Sequence, residues 1–88
     1  MNQQENSEQN AHKRSIHVVI NGEHREVSQA HLTFDEVCKL AFPDGPFGEN
    51  IIYTVTYSTH GRDGSLVSGE NVEVVNGMIF HVGNTDKS

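Results

Sequence analysis

The chain has one cysteine, few basic residues and no apolar run of bilayer length, and each shortage excludes something. Cys38 has no second thiol to pair with, so an internal disulfide is excluded and a reducing compartment fits. The six basic residues are Lys13, Arg14, Arg25, Lys39, Arg62 and Lys87, set against twelve acidic ones for a net charge of −6. They are scattered, and nucleic acid or an anionic membrane surface would want them clustered and in excess. The N-terminus has no apolar signal core, so a cytoplasmic location is the expectation. Enzyme signatures are missing too: there is no Gly-x-Ser-x-Gly, no phosphate loop and no Cys-x-x-Cys.

What is present fits a single domain of 88 residues. Met1–Arg14 is almost wholly polar, with Ala11 the only apolar residue after Met1. It cannot bury enough surface to offset its ordering entropy, so residues 1–14 are expected to form a disordered polar tail. The folded part is expected over residues 15–83, with a flexible C-terminal tail over residues 84–88.

The hydrophobic pattern yields an order of elements. Ser15–Ile20 is β-branched and partly alternating, and Asn21-Gly22 after it is a strong hairpin signal. Glu23–Ser28 returns as a second strand. A two-residue turn pairs Ile20 with Glu23 and Ile16 with Val27, which places Glu23 and Arg25 awkwardly on the core face. Thr33 and Glu36 then form a capping box, with Leu32 and Val37 as a hydrophobic staple. Phe34, Val37, Cys38, Leu40 and Ala41 give a helical stripe that ends near Phe42, because Pro43 cannot continue it.

Ile51–Tyr57 reads as the strongest strand. His60–Ser65 reads as a turn with two glycines, Leu66-Val67 as a short strand and Val72–Val75 as another. Asn76-Gly77 turns the chain into Met78–Val82, with Met78, Phe80 and Val82 on one face. The order β-β-α-β-β-β predicts an α+β fold of the β-grasp (ubiquitin-like) type. One helix packs on one face of a mixed sheet of four to five strands, and the last strand lies parallel to the first.

Several residues invite a chemical reading. Asp35 and Glu36 are adjacent carboxylates, but the positive end of a helix explains them. Cys38 sits mid-stripe, where a buried inert thiol is the plain reading. Of the six histidines, His17, His24 and His81 are expected on the exposed sheet face; the spacing is not that of a metal site. Val19, Ile52, Ile79 and His81 are expected on that same face as a partner-binding patch. An extended end beyond Gly83 can thread into another protein's active site, and Gly83 has no side chain to clash there.

Blocks of sequence resemble the bacterial multiubiquitin-domain family. They are Ile20-Asn21-Gly22, Leu32–Pro43, Tyr53–Tyr57, Gly64–Val67 and Asn76–Val82, with Thr85-Asp86-Lys87-Ser88 at the end. The resemblance implies a ubiquitin-like protein in an operon with activating-type and conjugating-type enzymes and a processing peptidase. The chain would be activated and transferred through its processed C-terminus, and some related operons are thought to serve defence against phage. No cofactor is expected in the chain itself, since ATP would be consumed by the activating enzyme. Ubiquitin-like modifiers usually end in Gly-Gly, whereas here Val82 is followed by Gly83-Asn84-Thr85. Trimming would expose the carboxylate of Gly83 or of Asn84, and the shared ending that starts at Thr85 favours Asn84. The alternative is an interaction module that is never conjugated; a small enzyme or metal protein has no residues in its favour.

Overall fold

The computed structural model describes residues 15–87. The tail expected over residues 1–14, His12 within it, and Ser88 lie outside the described residues. Strands β1 (Ile16–Ile20) and β2 (Glu23–Val27) form an antiparallel hairpin. Asn21 and Gly22 between them take φ of 52° and 84°, the two positive values that this turn requires. The register is the expected one, from Ile16 opposite Val27 to Ile20 opposite Glu23. Glu23 and Arg25 are accommodated because β2 is the outermost strand. Glu23 is exposed and Arg25 half-buried, and Arg25 Nη2 donates to Glu23 Oε1 at 2.9 Å.

A three-residue strand, β3 (His31–Thr33), precedes helix α1 (Phe34–Ala41). The capping box is complete: Glu36 N–H donates to Thr33 Oγ1 at 3.1 Å, and Thr33 N–H donates to Glu36 Oε1 at 2.8 Å. Phe42 N–H closes the helix on the Cys38 carbonyl at 2.8 Å. The helix buries Val37 and Cys38.

The chain continues through β4 (Ile51–Thr59), β5 (Arg62–Leu66), β6 (Asn71–Glu73) and β7 (Met78–Asp86). The main sheet runs β2-β1-β7-β4-β5, and β3 pairs with β6 apart from it. Within the main sheet β1 and β7 are parallel and the other neighbours antiparallel. A mixed five-stranded sheet carrying one helix is the ubiquitin-like β-grasp fold. Val18, Ile20, Leu32, Val37, Val55, Met78 and Phe80 fill its core.

Three expectations need correction. Residues 60–65 are not all turn: only His60-Gly61 turns, and Arg62–Leu66 is a strand against β4. The Tyr57 ring lies over Gly64, and a Cβ there would come within 2.5 Å of the Tyr57 hydroxyl. Cross-strand cover of this kind offsets the weak strand preference of glycine. Second, β3 is too short to leave a periodic signal and was not expected. Third, β7 continues to Asp86, so Asn84, Thr85 and Asp86 belong to the sheet and not to a loose tail. Their polar side chains do not prevent pairing, because β4 supplies backbone partners as far as Ile51.

Candidate functional site

The C-terminal half of β7 and the sheet face beside it hold the residues expected to act. β1 stops at Ile20, opposite Phe80. The pairing is then prolonged by Asn21. Its backbone N–H donates to the Phe80 carbonyl at 3.0 Å. Its side-chain Oδ1 accepts from Val82 N–H at 2.9 Å, and its Nδ2 donates to the Val82 carbonyl at 3.0 Å. The amide thus does for Val82 what one more β1 residue would have done. The other Asn-Gly pair mirrors this at the start of β7, where Asn76 Oδ1 accepts from His17 N–H at 2.8 Å and Gly77 N–H donates to the His17 carbonyl at 2.7 Å.

Past Val82 only β4 accompanies β7 among the described residues. Gly83 lies opposite Thr54, Asn84 opposite Tyr53, Thr85 opposite Ile52 and Asp86 opposite Ile51. Lys87 N–H adds one more bond, to the Asn50 carbonyl at 2.8 Å. β5 in turn meets β4 only from Val55 onwards. Ile51–Thr54 and Gly83–Asp86 therefore form a two-stranded ribbon that runs beyond the body of the sheet. Gly83 is half-buried, and Asn84 and Thr85 are exposed. Gly83 is not required by backbone conformation, since a Cβ there would meet only Thr54 Oγ1, at an ordinary 3.6 Å.

At the root of the ribbon Tyr53 is held between Phe42 and Phe47, with ring centroids 5.7 Å and 5.3 Å away. Its hydroxyl donates to the Pro46 carbonyl at 2.6 Å.

The four residues expected as one patch separate into two groups. Val19 and Ile79 are direct neighbours across β1 and β7, and His81 follows two residues on, so these three share one stretch of the face away from the helix. Ile79 is 39% exposed and Val19 half-buried. Ile52 faces the same way and is 47% exposed, but it stands opposite Thr85, six residues along β7 from Ile79. At roughly 3.4 Å per residue that is about 20 Å, too far for one contact. Ile52 belongs to the ribbon.

The remaining candidates are explained by the fold. His17 Nε2 and His24 Nδ1 are hydrogen-bonded at 2.7 Å, with Glu26 Oε2 4.0 Å from His17 Nδ1. His81 does not join them. Among the described residues no three His, Cys, Asp or Glu side chains are grouped to hold a metal ion. Burial, with the Asp35 carboxylate adding to it, pushes the Cys38 thiol up to about 11, so it is a poor nucleophile at neutral pH. Sequence reasoning took Asn21 as a turn residue and missed its grip on Val82. The recurrence of Asn-Gly at both ends of the central strand pair was the available signal.

The multiubiquitin family model matches residues 16–86, from the first residue of β1 to the last of β7. The chain belongs to the multiubiquitin family. It is a ubiquitin-like module, and the ribbon as far as Asp86 lies inside the matched domain. Comparisons with curated proteins and with solved structures returned no match. No helix among the described residues is long and apolar enough to cross a membrane.

Proposed function

We propose that this multiubiquitin domain is a protein modifier, trimmed by a peptidase and then activated and conjugated through its new C-terminal carboxylate. The observation that carries the reading is the course of β7. The strand starts in the core, runs between β1 and β4, and leaves the body of the sheet as an exposed extended segment. A carboxyl group placed there is displayed to another enzyme's catalytic centre while the fold stays intact. The activating-type enzyme would join that carboxylate to the α-phosphate of ATP, releasing pyrophosphate, and the conjugating-type enzyme would pass the acyl group to a target. The catalytic residues belong to those partners. Val19, Ile79 and His81 form the docking surface in this reading, in a bacterial cytoplasm where the system serves defence against phage.

The test is expression of the whole operon with a tagged domain. A modifier gives higher-mass adducts that survive denaturation and disappear when the domain ends at Val82. Their absence in every condition, together with non-covalent capture of partners through Val19 and Ile79, would support the second reading, a docking module that is never conjugated. One observation favours that second reading: the C-terminal segment is hydrogen-bonded along its length to β4 and is not free.

A further inference from the structure

The register of the first hairpin brings together two imidazoles that the sequence keeps apart. In β1, Ile16, Val18 and Ile20 point into the core, which turns His17 and Val19 to the face away from the helix. The Asn21-Gly22 turn sets His24 opposite Val19 and Glu26 opposite His17, so His24 and Glu26 share that face. The rings of His17 and His24 stand with centroids 4.8 Å apart. His17 is also fixed by its backbone: its N–H donates to Asn76 Oδ1, and its carbonyl accepts from Gly77 N–H. Both rings therefore project from a scaffold that is already set.

The contacts within the group follow the order of a metal ligand and its support. His17 Nε2 faces His24 Nδ1 at 2.7 Å, and the other nitrogen of His17, Nδ1, faces Glu26 Oε2 at 4.0 Å. Glu26 is steadied in turn by Ser15, whose hydroxyl donates to Oε1 at 3.0 Å. A carboxylate behind one ring nitrogen keeps the proton there and leaves the lone pair of the other nitrogen for a cation. Two zinc–nitrogen bonds of about 2.1 Å at a tetrahedral angle set their nitrogens about 3.3 Å apart. From the 2.7 Å contact the rings need to part by only about 0.6 Å, and both are exposed, so a small side-chain tilt is enough.

We propose that His17 Nε2 and His24 Nδ1 chelate one zinc ion on the outer face of the hairpin, with Glu26 as the carboxylate behind His17 and water in the remaining positions. Imidazole suits zinc, whereas magnesium and calcium take oxygen ligands. Each nitrogen gives its lone pair to the ion. His24 gives up its Nδ1 proton to water and takes one on Nε2, so no net proton is released. Among the described residues no third ligand is grouped there, so the site stays open, beside Val19 in the register. The proposal does not depend on the modifier reading.

Zinc titrated calorimetrically into the untagged full chain at neutral pH should bind at one ion per chain, and magnesium and calcium should not bind. His17→Gln and His24→Gln should each weaken binding by at least about tenfold, and Glu26→Gln by about tenfold. Glu23→Gln removes the same charge from the same strand, but beside Arg25, and should stay within about twofold. NMR of the ring nitrogens should place the ion on His17 Nε2 and His24 Nδ1, with the proton kept on His17 Nδ1. A flat titration at millimolar zinc would overturn the proposal. So would binding that survives in the double variant His17→Gln/His24→Gln, binding that is lost in His12→Gln, or one ion shared between two chains. Equal losses in Glu23→Gln and Glu26→Gln would overturn the part given to Glu26.

Discussion

Met78–Val82 and Gly83–Asp86 share one strand and one register against β4, yet only the first half has β1 on its other flank and the core beneath it. Met78, Phe80 and Val82 are 0%, 0% and 6% exposed, whereas Asn84, next on the same face, is exposed. Both halves are paired, but only one is buried. Hydrogen bonds in contact with water add little net stability, so the first half should open only with the whole domain and the second half by itself.

The sharpest way to break the comparison is to hollow out the first half. Phe80→Ala should lose about 3–5 kcal/mol in a urea titration, enough to unfold much of the population of so small a domain. Thr85→Ala, on the second half, should stay within about 0.5 kcal/mol of the parent in the same titration. If the two losses were comparable, the distinction between the halves would be void.

Asn21→Gly tests the junction. Glycine keeps the positive φ of the turn but removes both side-chain bonds to Val82, at a cost of about 1–3 kcal/mol. Amide exchange followed by NMR should accelerate from Val82 onwards and stay slow at Ile79 and His81. Uniform acceleration along β7 would show that Asn21 supports the whole domain and not this junction.

A pH series probes the buried cluster that Cys38 of the helix shares with Met78, Phe80 and Val82. Folding raises the Cys38 thiol from 9.0 to about 11, so the folded state holds the proton more tightly than the unfolded chain. Its contribution is complete below about pH 9 and is lost as pH rises towards about 11. Cys38→Ala should flatten the fall in stability over that window, and the native thiol should resist a disulfide reagent at pH 8 until the protein unfolds. The smallest effect belongs to Gly83→Ala, within about 0.5 kcal/mol by urea titration, because the site takes a Cβ without strain.

Local rules made the hairpin and the helix start legible. Asn21-Gly22 sets the register of β1 and β2, and Thr33 with Glu36 announces α1, each within a few residues of sequence. β5 was hidden because Asp63 and Gly64 are poor strand formers, and the ring of Tyr57 on the neighbouring strand covers Gly64. The ribbon was hidden because Asn84, Thr85 and Asp86 have the composition of an exit segment, although the backbone of Ile51–Tyr53 pairs with them regardless of side chain. The division of the patch depends on the register of β4 against β7, which no single segment encodes. The grip of Asn21 on Val82 joins residues 61 apart in sequence and exists only once β1 and β7 lie side by side.

The side-chain clasp between Asn21 and Val82 also has a mechanical meaning. A pull on the C-terminal end, such as an unfolding motor or a tethered target would apply, acts along β7. It loads the ribbon's bonds together in shear instead of unzipping them singly. Behind the ribbon the next elements in the load path are the two bonds of the Asn21 amide, and then the parallel pair that anchors the hydrophobic interior. That amide is the latch at which tension on this end passes from the ribbon to the parallel strand pair.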